Sequence, residues 1–286
     1  MGKLVQVLNE WEIQLLVLLS FTLQVFLFFT GGLRRRRTNA LLRFSMWVAY
    51  LGADLVAIYA LGFLSRHKDD ICGNDTLTEA HPLAFLWTPF LLMHLGGQDT
   101  VTAFSIEDNN SWLRHLLNLV VQVGVALYVF WQSTMGRRHH SVLLPGIFVF
   151  IAGIIKYGER TLALMYGDLK NTSHNTIGNE NYEELYRPAD IGRYQSNEDL
   201  DKLADHGEYG GIFASCLQSA PGIRELFAGR TMHQMEDHHR EVLTSPIHMD
   251  HLPKLLEVEL DLMYDDIYTK AMVLQTRSGI IFRCLS

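Results

Sequence analysis

The sequence predicts an all-α protein, a polytopic α-helical membrane bundle over about residues 1–166 followed by an acidic, mainly helical and partly disordered tail over 167–286. Three observations carry that expectation. Residues 13–33, IQLLVLLSFTLQVFLFFTGGL, form an uncharged run of 21 residues. At about 1.5 Å of rise per residue such a helix crosses a hydrocarbon core of roughly 30 Å. The run is followed at once by Arg34 to Arg37, and because cytoplasmic flanks collect Lys and Arg, this end belongs inside and the N-terminus outside or in a lumen. Finally, the charge divides. Residues 1–166 hold 13 Lys+Arg against 11 Asp+Glu, a net of +2, with nearly all the long apolar runs; the rest hold 11 against 20, a net of −9. The acidic half repels nucleic-acid phosphates and anionic lipid heads, so no nucleic-acid partner is expected. The compositional shift near Gly167 sets the expected domain boundary.

The first span, 13–33, is too long for a signal-peptide core and is flanked by basic residues on the wrong side, so it is expected to stay as an anchor. A myristoylation motif fails because Gln6 stands where Ser or Thr is needed. The second span, 42–64, contains one acid, Asp54. The polar loop after it, Ser65 to His81, carries the sequon Asn74-Asp75-Thr76 and would face the exterior or lumen, which makes Asn74 a candidate glycosylation site. Asn109-Asn110-Ser111 and Asn171-Thr172-Ser173 are two further sequons.

The third segment, 83–104, is interrupted. Leu83 to Leu95 is apolar, then Gly96-Gly97-Gln98-Asp99-Thr100 intervenes before Val101 to Phe104. That pattern is open to a span and to a re-entrant or interfacial helix. The fourth span, 114–133, is flanked by Trp112 and Trp131 as interfacial anchors. The fifth, 142–160, ends in Lys156-Tyr157-Gly158-Glu159-Arg160, where Lys156, Glu159 and Arg160 read as an interfacial anchor closing the span. With five spans and a cytoplasmic tail, nine basic residues fall inside and five outside; with four spans the balance is seven to seven. Five spans is the favoured arrangement, although four would put all three sequons outside.

In the tail an Asn-, Ser-, Thr- and Glu-rich connector (Asn171 to Asn181) leads to a short acidic helix (Glu198 to Leu203) and a Gly210-Gly211 break. Pro253 opens an amphipathic helix over about 253–275, with Leu255, Leu256, Val258, Leu260, Met263, Ile267, Ala271 and Leu274 set against Glu257, Asp261, Asp265 and Lys270. Such a helix must dock on the tail or on the bilayer, and its acidic polar face argues against an anionic membrane surface. The chain's last residues, Gly279 to Ser286, turn apolar and read like the first turn of a further membrane helix that has been cut off.

Four residues form the candidate intramembrane polar site. Asp54 sits mid-span, where a charged acid costs on the order of 3 kcal/mol on insertion scales, and is either an ion or proton site or a lock between helices. His94 and Gln98 share a helix face four residues apart, with Asp99 just beyond. The glycines between them could break the helix and expose backbone carbonyls, as around transported ions, or simply permit close packing. The tail's His233, His238, His239, His248 and His251 lie among acids without any zinc spacing, so a solvated surface is the expectation and no metal is assigned. Cys72, Cys216 and Cys284 are too few and too scattered for a disulfide framework. No phosphate loop, dinucleotide fingerprint or nucleophile elbow occurs, so the sequence supports no enzyme chemistry and no cofactor.

The string WTPFLLMHLGGQDTVTAFSIEDNNSWLRHLLNLVVQVGVALYVFW (Trp87 to Trp131) closely resembles the signature region of a plant membrane family of unknown function, domain of unknown function 4220. The similarity continues through GIIKYGERTLAL (Gly153 to Leu164) and VELDLMYDDIYTKA (Val258 to Ala271). It implies four or five N-terminal spans, a hydrophilic segment and further spans, of which this chain holds the earlier parts and so resembles a truncated form. It implies no activity and no catalytic residues. Two functional classes remain: a membrane-anchored interaction or scaffold protein whose acidic tail recruits a protein partner, or a transporter or channel component using the polar intramembrane residues. The lipid bilayer is the one partner common to both.

Overall fold

The computed structural model describes residues 2–36, 39–66, 84–134, 143–168, 210–214, 216, 223, 227 and 252–274. Asn74, Asn171, the 171–181 connector, the helix expected at 198–203, the five tail histidines, Cys72, Cys284 and residues 279–286 lie outside them. Among the described residues every regular element is a helix, and the one β feature is an antiparallel bridge between Gln98 and Val101. The elements are α1 (Gly2–Arg36), α2 (Ala40–Arg66), α3 (Ala84–Leu95), α4 (Ile106–Asn110), α5 (Trp112–Thr134), α6 (Leu143–Gly167), α7 (Leu252–Tyr268) and α8 (Ala271–Leu274). They divide into two compact units, one holding the described residues up to Phe104 and 112–162, the other those of 105–111 and from Ala163 on.

Among the described residues of the first unit, three helices are long and apolar enough to cross a membrane: Trp11–Arg35, Ala40–Ser65 and Trp112–Trp131. Their outer faces carry bare apolar side chains, with Phe29 70%, Leu55 67% and Trp131 66% exposed. Soluble monomers rarely leave so much contiguous apolar surface in water, whereas lipid tails solvate it. The inner faces follow helical periodicity. On α1 the buried line is Val17, Ser20, Gln24, Leu27 and Thr30; on α2 it is Met46, Ala49, Ala53, Ala57 and Ala60. Small residues at four-residue spacing bring the two backbones close, which matters in lipid because dispersion contacts, not hydrophobic exclusion, hold helices together there. Leu61, Leu92, Leu95, Phe130, Phe150 and Tyr157 join α2, α3, α5 and α6 in one core.

The third predicted span is a different object from a helix over 83–104. Helix α3 has 12 residues, about 18 Å of rise, and ends at Leu95. Two glycines stop it. Gly97 adopts φ +64°, the left-handed region that costs glycine nothing. At Gly96 a Cβ would lie 2.9 Å from the Lys156 carbonyl carbon of α6, so only glycine fits that crossing. The chain then continues without helix, and Val101, Thr102 and Ala103 are all buried.

The second unit holds α4, α7 and α8. Ser105 N–H donates to Asp108 Oδ2 at 3.0 Å and opens α4. Asn109 Nδ2 donates to the Ile267 carbonyl of α7 at 2.9 Å, tying the two elements together. Helix α7 packs on Ile212 and Cys216 through Leu255, Val258 and Leu262. The expected division of its faces is corrected here. Leu255, Met263 and Ile267 are buried as expected, joined by Glu259, Leu262, Asp266 and Lys270, while Leu256 and Leu260 face outward at 47% and 56% exposure. Ile267, twelve residues after Leu255, falls at about the same angle round the helix as Leu256 and Leu260 yet is buried, so that side of α7 is covered toward Tyr268 and open near Leu256 and Leu260.

Candidate functional site

Three elements of the first unit converge on the end of α3. The expected interfacial anchor at the end of α6 is overturned for Arg160, whose side chain is only 3% exposed and lies against Asp54 of α2. The contact is bidentate. Arg160 Nη1 donates to Asp54 Oδ1 at 2.7 Å and Nη2 to Oδ2 at 2.8 Å, the fork geometry that makes such pairs strong. Arg160 Nη1 also donates to the Leu95 carbonyl at 2.9 Å, and its guanidinium carbon stands 5.4 Å from the centre of the Tyr50 ring. A positive charge at the carbonyl end of a helix complements the helix dipole. One cation therefore neutralises an acid and caps the broken helix at once.

A second set of groups comes from α1. Gln24 Nε2 donates to the His94 carbonyl at 2.9 Å, and Gln98 Nε2 donates to Gln24 Oε1 at 3.0 Å. Ser20 Oγ and His94 Nδ1 share a hydrogen bond of 2.8 Å, and the imidazole lies 4.4 Å from the Phe90 ring centre. Further along, Tyr50 hydroxyl donates to the Thr102 carbonyl at 3.2 Å. Arg34 closes the stretch, Nη1 donating to Ala103 O at 3.0 Å and Nη2 to Phe104 O at 2.7 Å, with its guanidinium 4.3 Å over the Phe104 ring.

These partners give the stretch a direction. Residues 94 to 104 meet Ser20, Gln24 and then Arg34 in ascending order, so this non-helical segment runs parallel to the second half of α1. It meets α2 in descending order of contact, Tyr50 at Thr102 and Asp54, through Arg160, near Leu95. After a tight turn at Asp99–Thr100, closed by the Gln98–Val101 bridge, the chain resumes the same overall direction.

Of the sequence-predicted site residues, Asp54 and His94 sit at opposite flanks of the α3 terminus, each engaged by a different helix, and Gln98 joins His94 through Gln24. Asp99 lies half-buried in the turn between the bridge residues Gln98 and Val101. Sequence reasoning missed Ser20, Gln24, Tyr50 and the inward course of Arg34 and Arg160. The signal for the first two was present: they are the i, i+4 polar pair in an otherwise apolar run.

The family model described as Domain of unknown function (DUF4220) matches residues 47–286. The chain belongs to this family. The matched stretch takes in Asp54, the whole of α3 with its glycine break, Arg160 and the α7 helix. It leaves Ser20, Gln24 and Arg34, the α1 half of the polar cluster, outside the region by which this DUF4220 chain is matched. No curated protein and no solved structure matches the chain.

Proposed function

We propose that this DUF4220 chain is a multi-pass membrane protein working as an anchored interaction or scaffold protein, its bundle holding the acidic tail at the cytoplasmic face and α7 receiving a protein partner. The observation that carries the reading is the outer face of α7, where Leu256 and Leu260 stand exposed one turn apart beside exposed Lys254 and Glu257. A pair of apolar side chains rimmed by charges is the pattern by which helix faces anchor partners. What supports the five-crossing topology is the overall forward course of residues 94–104 beside α1. What supports a cytoplasmic tail is the basic run closing α1. In the test, Leu256→Asp/Leu260→Asp is compared with wild type by affinity isolation of solubilised membranes. Loss of a stoichiometric co-purifying protein, with tail helicity unchanged, is the expected result. An identical set of co-purifying proteins overturns it.

A second reading, a transporter or channel component, is favoured by one observation: a broken helix with a half-buried acid paired to a buried arginine at its open end. Removing both charges together, Asp54→Leu/Arg160→Leu, leaves no unpaired charge, so the fold survives and flux alone is tested. A wild-type flux in proteoliposomes that the double variant lacks supports transport. Equal flux in both rules this pair out of any path.

A further inference from the structure

The basic run at the end of α1 is not uniform. Arg34 turns inward and holds the Ala103 and Phe104 carbonyls. Arg35, about 100° further round the helix, is exposed. Across the turn, Arg43 in the first helical turns of α2 is exposed too. Each of these two arginines has exposed aromatics within two turns of it on its own helix. On α1, Phe28 and Phe29 are 61% and 70% exposed with ring centres 5.3 Å apart; on α2, Phe44 and Trp47 are 59% and 43% exposed at 5.9 Å. Trp47 lies four residues beyond Arg43, and Phe28 seven residues before Arg35, so each aromatic shares its arginine's face. Between Phe28 and Arg35 the surface is bare at Gly32, where an added Cβ would meet nothing within 4 Å. Below Trp47 the exposed line continues through Leu51, Leu55 and Tyr59, an apolar stripe ending in a second aromatic.

From this arrangement we infer that the α1–α2 end of the bundle is a docking surface for anionic phospholipid. Arg35 and Arg43 bind the phosphate and acidic head group, the aromatics pack at the glycerol level, and the stripe below accepts an acyl chain. The inference rests on the reading of the bundle as membrane-spanning. Charge complementarity selects the occupant: guanidinium forks match phosphate oxygens, aromatic rings favour the interface, and basic residues just beyond a span are drawn to an anionic leaflet. A protein partner would have to cover the apolar stripe as well, and a second copy would bring its own Arg35 and Arg43 against like charge.

The test is native mass spectrometry of the full chain in detergent, titrated separately with phosphatidylserine, phosphatidylcholine and inorganic phosphate. Expected is retention of phosphatidylserine over phosphatidylcholine. The preference should fall about fivefold in Arg35→Gln or Arg43→Gln and roughly thirtyfold in the double variant. Arg114→Gln, which removes an exposed charge from α5, should leave the preference unchanged. Equal retention of the two lipids, a preference untouched by the variants, displacement by inorganic phosphate, or a dimer mass in place of lipid adducts overturns the inference. The single variants keep the test open should the double variant not fold. Alkaline extraction of native membranes separates the two failures. A chain that stays in the pellet without lipid preference sinks only this inference, and one released to the supernatant sinks the membrane reading itself.

Discussion

Arg160 reaches two other helices, α2 and α3, through one side chain, and its worth depends on what is left behind when it goes. A buried ion pair adds little over apolar residues of similar size, but removing one partner strands the other charge at a cost of about 3–5 kcal/mol. Asp54→Leu and Arg160→Leu should each lower the unfolding midpoint in detergent strongly. The double variant should recover most of the loss, because no charge remains unpaired. A double variant no better than the worse single one would mean that the Leu95 carbonyl bond matters more than the carboxylate. Cys216 offers a pH-dependent counterpart in the other unit. It is fully buried, its sulfur 3.6 Å from the Leu255 carbonyl. Burial first, and the Glu259 carboxylate second, push its thiol up to about 12 from 9.0. The folded state holds this proton more tightly than the unfolded chain, so the thiol's contribution is complete below pH 9 and declines as pH rises toward 12. At pH 8, peptide-level mass spectrometry should find Cys216 unalkylated until denaturant is added. Rapid labelling under native conditions would show that α7 opens readily.

Among the elements, the long helices were the most legible, and the reason is physical. A span needs only a long apolar run and basic flanks, so α1, α2 and α5 are written in composition alone. The end of α3 was half legible. Gly96-Gly97 announced a break, but nothing local to residues 83–104 says that Gln24 and Arg160 close it, since those partners lie 70 and 65 residues away. The reading of Arg160 as an anchor failed for the same reason, as hydropathy assigns a charge near a helix end to the interface unless a buried acid is known to face it. On α7 the apolar face was legible at Leu255, Met263 and Ile267 but not at Leu256 and Leu260, because only tertiary packing decides which stretch of that side is covered and that Glu259 and Lys270 are buried with it. The α3–α6 crossing gives a sharp prediction. Gly96→Ala would set a methyl group 2.7 Å from Lys156 Cγ and 2.9 Å from backbone. The helices must part, and a loss of about 1–3 kcal/mol is expected from overpacking, read as a lowered midpoint. A neutral Gly96→Ala would show that α6 shifts freely along α3.

For the molecule as a whole, orientation in the bilayer is best read from sugar attachment, and the structure changes how that experiment must be interpreted. The amide nitrogen of Asn109 that would carry glycan is fully buried and bonded to Ile267. In the five-crossing arrangement Asn74 alone should shift on glycosidase treatment. Silence at Asn109, however, follows from burial as well as from a cytoplasmic location. Asn74→Gln and Asn171→Gln are therefore the deciding variants. Loss of the shift in Asn74→Gln alone supports the proposed orientation, and a sugar at Asn171 reverses the tail to the lumenal side.

The segment that follows α3 also bears on the order in which the chain can be assembled. Its carbonyls at Thr102 and Ala103 are satisfied by Tyr50 and Arg34 and the α3 carbonyl at His94 by Gln24, all already made when the segment emerges from the ribosome, whereas the Leu95 carbonyl waits for Arg160. A helix can slip into lipid as soon as it is synthesised, because its backbone is self-sufficient. This stretch cannot. Until α6 arrives, the end of α3 lacks its cationic cap and Asp54 lacks its counter-charge. The contacts that close this end of the first unit are therefore complete only once Arg160 has been translated.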